Sequence, residues 1–447
     1  MHTTRWLRLF AALVLGVVCS ARLSAQGITT AAITGTISDS STNQPIEAVQ
    51  VTVVNQATGV VTTAQSRASG VYFVAGLPVG GPYNVTVRRI GYKPDAQSAG
   101  MITLGQRKVV DFAMIPQAAT LAAVTVQAGN VVSPIINPNR KGTATLVNDS
   151  VLRQAPTLNR NFTDFVKTTP QLAPVPGSSG FSAGGVNNRF NNVQIDGASS
   201  NDLFGLGSTG QPGGQSAGKS ISLEAVQEYQ VLLSPYDLRF GDFNGALINA
   251  VTKEGTNDFT GSLFYYYRNQ NLAADVPFIR TSNLEVSQYG FSAGGPVIKD
   301  KIHFFVAGEW QQNTKPSSGP YIGQGASATS PLTVDSATVQ RFINDLTNIY
   351  GMNAGTGGVV TIGNPNSNVF GRLDFALPGM NSVLTVRDNY ATSSLDVFSR
   401  TSTFPLTSNA YTVNTTSNGV VVQLTSNLKS GADNEFILGY NPIHDLR

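Results

Sequence analysis

From Phe259 onward the chain repeats a pattern that few folds accommodate: segments of about ten residues in which apolar and polar side chains alternate. Phe259, Gly261, Leu263, Tyr265 and Tyr267 fall on one face of the first segment, with Thr260, Ser262 and Arg268 on the other. Tyr289, Phe291 and Ala293 alternate with Gln288, Ser292 and Gly294, and Ile302, Phe304, Val306 and Trp310 alternate with His303, Glu309 and Gln311. Further copies lie at 369–377, 384–390, 420–428 and 436–440, making seven. Lys299-Asp300 and Pro378-Gly379-Met380-Asn381 are tight turns, whereas Thr314 to Asn366 is a long polar connection. Period two sends successive side chains to opposite faces of a strand. Aromatic-flanked strands with tight turns at one end and long loops at the other predict a transmembrane β-barrel, although a soluble β-sandwich would also alternate.

An export signal supports the barrel. Arg5 and Arg8 precede an apolar run, Leu9 to Val18, and the small-residue site Leu23-Ser24-Ala25, so residues 1–25 read as a secretory signal cleaved after Ala25. About ten apolar residues are too few to cross a hydrocarbon layer of ~30 Å, which argues against a membrane anchor. Cys19 is the only cysteine, and Val18 before it departs from a lipoprotein processing site. The mature chain is therefore expected to hold no thiol, and packed cores or closed sheets must do the work of disulfides. Charged residues are only 12% of the chain, against a usual ~25%. Of 29 Lys and Arg, three (Arg5, Arg8, Arg22) lie in the expected signal, leaving 29 − 3 = 26 against 26 Asp and Glu. Such a balance gives no steering towards nucleic acid or an anionic membrane surface.

The N-terminal third alternates in shorter runs. Ala31, Ile33, Gly35 and Ile37, then Val49, Val51 and Val53, then Tyr83, Val85 and Val87 are spaced by polar residues and turns, which predicts a small β-sandwich over 26–115. An Ala- and Val-rich linker, 116–132, leads into a mixed α+β region over 133–256 with Gly-rich loops. Two helix-like stretches, Asn161–Lys167 and Leu223–Tyr229, flank Gln194-Ile195-Asp196-Gly197, which reads as a strand ending in a turn. The expected fold is thus mainly β: sandwich, α+β plug, and barrel strands over 257–447.

Several runs, in order, resemble a known family. Gly70-Val71-Tyr72-Phe73-Val74-Ala75-Gly76-Leu77-Pro78 followed by Gly80-Gly81-Pro82-Tyr83-Asn84-Val85 resembles the carboxypeptidase regulatory-like, transthyretin-type domain, and carries no implication of peptidase activity. Asn187-Asn188-Arg189-Phe190, Ile195-Asp196-Gly197, 223–231, Gly241 to Gly245 and, above all, Gly245-Ala246-Leu247-Ile248-Asn249-Ala250-Val251-Thr252-Lys253 resemble the plug of TonB-dependent outer-membrane receptors of the Oar-like type. Phe291 to Asp300 is similar to the family's first periplasmic turn. The resemblance implies an outer-membrane receptor of Gram-negative type that takes up an external ligand (siderophore, carbohydrate or peptide) when the inner-membrane partner TonB pulls on the plug. The plug residues it singles out are Asn187, Asn188, Arg189, Asp196, Gly197, Gly245, Asn249, Thr252 and Lys253. It also implies a TonB box at Val124, Thr125, Val126 and Gln127, although Ala123 stands where an acidic residue is common and the stretch reads equally as a plain linker. A handle of that kind works by strand addition through main-chain hydrogen bonds. The rival reading is a surface adhesion or matrix-organising protein anchored by the barrel, and a third is a secreted carbohydrate-binding module.

About 190 residues follow Asn257, whereas plugged transporters have about 22 strands and an eight-stranded barrel leaves no lumen for a plug. The sequence therefore reads as an N-terminal fragment of a larger barrel. Enzyme chemistry finds no footing. Gly213 to Ser220 matches the P-loop pattern, but Asp202 to Pro212 before it is a glycine-rich loop rather than a buried strand, so a flexible plug loop is expected. Beyond the signal only His303 and His444 remain, without zinc-ligand spacing or a nucleophile elbow, and both read as barrel residues. No catalytic residue, cofactor or metal is expected, and outer-membrane lipid is the expected surrounding of the strands.

Overall fold

The computed structural model describes residues 28–117 and 143–447, except 155–156, 158–159, 162–163, 166–168, 171, 175–179, 203–208, 234–240, 242, 273–282, 325–330, 333, 401–403 and 429–431. The expected signal and the candidate TonB box Val124–Gln127 lie outside the described residues, as does most of the expected helix at 161–167.

The N-terminal strands are β1 (Ala31–Asp39), β2 (Gln50–Asn55), β3 (Val61–Gln65), β4 (Val71–Leu77), β5 (Gly80–Arg88), β6 (Asp95–Ile102), β7 (Arg107–Val109) and β8 (Phe112–Met114). They form two sheets, β4-β1-β7 with β8 also on β1, and β3-β2-β5-β6. Ile33, Ile37, Val51, Val53, Val85 and Val87 meet between the sheets and are fully buried, each contributing about 1.5–3 kcal/mol over exposure. Gly35 is set by close approach rather than by a turn. A Cβ there would stand 1.8 Å from the Val110 carbonyl oxygen, which accepts the Tyr72 hydroxyl at 2.6 Å.

Next come β9 (Thr143–Asn148), α1 (Asp149–Gln154), β10 (Leu172–Pro174), β11 (Phe181–Ala183), β12 (Asn192–Ile195), β13 (Ala198–Ser199), β14 (Val226–Leu233) and β15 (Ala246–Thr252). The main sheet runs β13-β12-β15-β14-β9, with β12 and β15 parallel. The turn expected after Ile195 is present: Asp196 and Gly197 both have positive φ, 46° and 70°. The helix expected at Leu223–Tyr229 is not. Only Leu223–Ala225 make a 3-10 turn, capped by Ser222, and Val226 opens β14. With β15 on one side and β9 on the other, a strand satisfies its amides. Burial on both faces erases the alternation by which a strand is recognised.

The third region comprises β16 (Thr260–Asn269), β17 (Glu285–Ile298), β18 (Ile302–Pro316), α2 (Ser336–Asn348), β19 (Thr361–Gly363), β20 (Asn366–Leu377), β21 (Ser382–Val397), β22 (Tyr411–Asn427), β23 (Asp433–Tyr440) and β24 (Ile443–Leu446). Seven strands pair antiparallel in the order β16-β17-β18-β20-β21-β22-β23, while β19 and β24 add to β18 and β22. The sheet is part of a barrel and is not closed. Leu263, Tyr265, Tyr289, Phe291, Leu373, Tyr390, Leu438 and Tyr440 are exposed on its outer face, whereas Gln288, Glu309, Gln311, Asn368, Asn389 and Gln423 are buried on the inner one. A soluble sandwich would do the reverse, and the outward apolar band is what lipid requires. Trp310 stacks on Tyr289 and Phe291 in that band, at 5.9 and 6.2 Å between ring centroids. No helix among the described residues is long and apolar enough to cross a membrane. The long connections fold together at the far end from the tight turns: Val339 of α2 packs with Ala354 and Leu406. Arg400 lies between Phe398 and Phe404, at 4.9 Å from each ring, and donates to the carbonyls of Thr356 and Gly358 at 2.9 and 2.7 Å.

Candidate functional site

The inner face of the sheet meets the α+β region, the expected plug, through polar groups set around an apolar patch of Phe305, Ala307 and Phe370 that joins that region's core, and these contacts form the candidate site. The left-handed turn after β12 aims the Asp196 carboxylate back at the end of β15, where it accepts the Thr252 amide and hydroxyl, both at 2.8 Å. The oxygen that takes the Thr252 hydroxyl also forms an ion pair at 2.6 Å with Arg387 of β21, and Arg387 donates to the Ile195 carbonyl at 2.5 Å. Arg372 of β20 reaches the same strand end, donating to the Thr252 carbonyl at 2.9 Å and hydroxyl at 3.1 Å while it pairs with Asp374. Plug turn, plug strand and two wall strands thus share one buried charge chain. Removing one member would leave another charge unpaired out of water, which costs far more than an exposed pair.

A second contact is centred on Glu309 of β18, which accepts Lys219, Ser222 and Gln288, each at 2.7 Å. The Ser222 amide donates to Asn368 of β20 at 3.2 Å. These bonds correct the reading of the P-loop-like run as a flexible loop. Its lysine is held by the wall, the Ser216 hydroxyl donates to Thr415 at 2.9 Å, and the carbonyls of Ser216 and Ser220 accept Asn364 and Asn389 at 2.7 and 2.6 Å. The run is a strut, and among the described residues there is neither the buried strand before it nor the helix after it that phosphate binding needs. A third contact joins the plug to β16: Arg160 pairs with Glu224 at 2.6 Å and lies 4.2 Å from the Phe264 ring centroid.

Of the plug residues singled out from sequence, Asp196, Gly197 and Thr252 come together in the charge chain. Asn187 caps the 3-10 turn Asn188–Phe190 by accepting the Arg189 amide at 3.1 Å. Gly245 lies beside that turn, and its amide donates to Phe190. A Cβ on Gly245 would stand 2.2 Å from Asn191 Oδ1, the acceptor of the Ala246 amide. Asn249 faces the other way and donates to the Ile28 carbonyl at 2.6 Å, while Lys253 pairs with Asp149 at 2.8 Å. Arg372 and Arg387 escaped sequence reasoning, and Glu309 was placed on the polar face without a partner. The available signal was a charge on the inward parity of a barrel strand in a charge-poor chain. His303 and His444 both lie in the barrel sheet, in β18 and β24, and no group of three or more metal-ligating side chains occurs among the described residues.

Residues 32–115 match the family described as carboxypeptidase regulatory-like domain, and residues 251–326 match the outer membrane beta barrel domain. The chain is therefore an outer-membrane β-barrel protein of Gram-negative type that carries a regulatory-like sandwich. It is similar to the TonB-dependent transporter Oar of Myxococcus xanthus, at 28% identity over 338 residues, covering 68% of this chain and 29% of that protein. The chain thus spans under a third of this relative's length. Among solved structures, the siderophore receptor PirA from Acinetobacter baumannii overlaps at TM-score 0.43 and 15% identity, covering 68% of this chain and 40% of that one. The outer membrane transporter YddB from Escherichia coli overlaps at TM-score 0.47 and 15% identity, covering 68% and 39%. The domain matches and the Oar similarity bear out the resemblance read from the sequence.

Proposed function

We propose that the protein is an energy-coupled uptake receptor of the outer membrane, with residues 133–256 as its movable plug and Val124–Gln127 as the handle that TonB grips. The observation that carries this reading is the nature of the plug–wall contact. Asp196 and Thr252 meet the wall at Arg387 and Arg372, and Lys219 and Ser222 meet it at Glu309, through separate groups of hydrogen bonds and ion pairs. Polar contacts can be exchanged for water, which rehydrates both partners, since a neutral hydrogen bond is worth only about 0.5–1.5 kcal/mol net and one to a charged group about 1.5–3. A plug that must leave a lumen and return is suited by such a seam. The ligand class stays open among siderophore, carbohydrate and peptide, and no residue of the chain is assigned a catalytic role.

The test uses the full-length protein. Proline removes an amide and fixes φ, so Val126→Pro is expected to weaken TonB binding and abolish energy-dependent uptake while membrane insertion is retained. Val126→Thr keeps both amide and β-branch and should behave as the parent. Normal TonB binding by the proline variant would place the handle elsewhere or remove energy coupling altogether. The lobe in which Val339 of α2 packs with Ala354 and Leu406 is the one feature that favours the second reading, adhesion, in which the proline variant loses nothing.

A further inference from the structure

The sandwich does not hang free of the barrel. Among the described residues its contacts fall into two sets, one to the plug and one to the tight-turn end of the barrel sheet. Towards the plug, the Leu104 amide donates to Glu228 at 3.3 Å, the Ile28 carbonyl accepts Asn249 at 2.6 Å, and Ile28, Val79 and Leu104 close over Val251. Towards the wall, Asn381 in the turn between β20 and β21 both accepts from and donates to the Thr63 main chain, at 3.1 Å each way. Asn427 donates to the Ala75 carbonyl at 3.0 Å, the Asn257 amide to Ala57 at 2.8 Å, and Gln423 to Thr29 at 2.6 Å. Where sandwich, plug and wall meet they enclose a cavity of about 120 Å³ lined by Pro78, Met101, Thr252, Glu254, Arg372 and Gln423.

We propose that the sandwich is a bolt: tied to the barrel turns on both sides, it lies across the plug's exit and must undock before the plug can leave the lumen. The wall side chains hold its main chain at Thr63 and Ala75, so the fastening does not depend on sandwich side chains at those points. Residues 118–142 join the sandwich to the plug along the chain, so a pull on that segment loads both. This inference rests on the reading of the plug as movable. It is independent of what supplies the force.

The experiment locks the bolt. A Cβ on Gly76 would stand 3.8 Å from Thr425 Cβ, the usual Cβ separation of a disulfide, and the only cysteine of the chain is Cys19 in the expected signal. Full-length Gly76→Cys/Thr425→Cys, in outer-membrane vesicles, is expected to cross-link on mild oxidation without any ligand. Gly76 has φ +68°, so a second pair, Ala75→Cys/Asn427→Cys bridged by a short bis-maleimide, guards against a folding defect. The barrel is then anchored and a tag inserted within 118–142 is pulled in a single-molecule force instrument. Under reductant the plug-extension step should be present; after oxidation it should be lost, and reductant should restore it. Failure of both pairs to cross-link, or an unchanged extension step in the locked protein, would overturn the proposal. Because the instrument supplies the force, loss of the TonB reading leaves this result untouched.

Discussion

The sandwich and the barrel sheet are written in the same period-two code, yet they bury opposite halves of it. In β1 the apolar residues Ile33 and Ile37 are inside; in β17 the apolar residues Tyr289 and Phe291 are outside and Gln288 and Ser292 are inside. Alternation reports that a strand has two unlike faces, and the solvent decides which is turned in. The lesson extends to stability. The sandwich is held by a dry core, whereas the inner face of the barrel sheet is held to its plug by charges and amides around one apolar patch, Phe305, Ala307 and Phe370.

That contrast can be broken at its strongest point by Arg387→Met. Removing one partner leaves Asp196 buried and unpaired, so the plug should lose about 3–5 kcal/mol, read as a fall in the denaturant midpoint of a plug-specific probe. Adding Asp196→Asn should recover most of it, and no loss in the single variant would mean the pair is solvated. Ile33→Ala in the sandwich should cost about 3 kcal/mol through a cavity, measured as protease sensitivity of 26–115, with the barrel's heat-modifiable migration unchanged. A joint loss of both would show that the two regions fold as one. On the outer face, Leu263→Arg should cost about 2 kcal/mol in a bilayer, against almost nothing if that face met water. The smallest effect sharpens the seam between the regions. Burial pushes the Glu228 carboxyl up to about 7, against the opposing effect of the Leu104 amide it accepts. The folded protein therefore holds the proton more tightly than the unfolded chain. The stability this group contributes should be fully present below pH 4.5, the carboxyl's ordinary value, fall as pH rises to about 7, and change little beyond. Glu228→Gln should flatten that dependence in a proteolytic-release assay.

What the sequence disclosed follows the same division. Sandwich core and barrel strands were legible because alternation is local, and Ile33, Val51 and Val85 lie where period two puts them. The helix expected at Leu223–Tyr229 is a 3-10 turn and the start of a strand, because a strand buried on both faces carries no alternation. The charge chain was only half legible. Asp196 and Thr252 belong to recognisable plug runs, but Ile195 and its donor Arg387 are 192 residues apart, and nothing local marks an arginine as the partner of a distant turn. Lys219 shows the opposite failure: its neighbours spell a phosphate loop, and only the wall residue Glu309 reveals a strut.

The central claim, that the apolar face of these strands meets lipid and the polar face meets the plug, is tested most directly by a spin-label scan along β17. Single cysteines at Gln288, Tyr289, Phe291 and Ser292 of the full-length protein in bilayers would be labelled and relaxed by oxygen, which partitions into lipid, and by a water-soluble nickel chelate. Labels at 289 and 291 should be relaxed strongly by oxygen and those at 288 and 292 weakly by both agents, whereas nickel access at 289 and 291, or no alternation at all, would contradict the account.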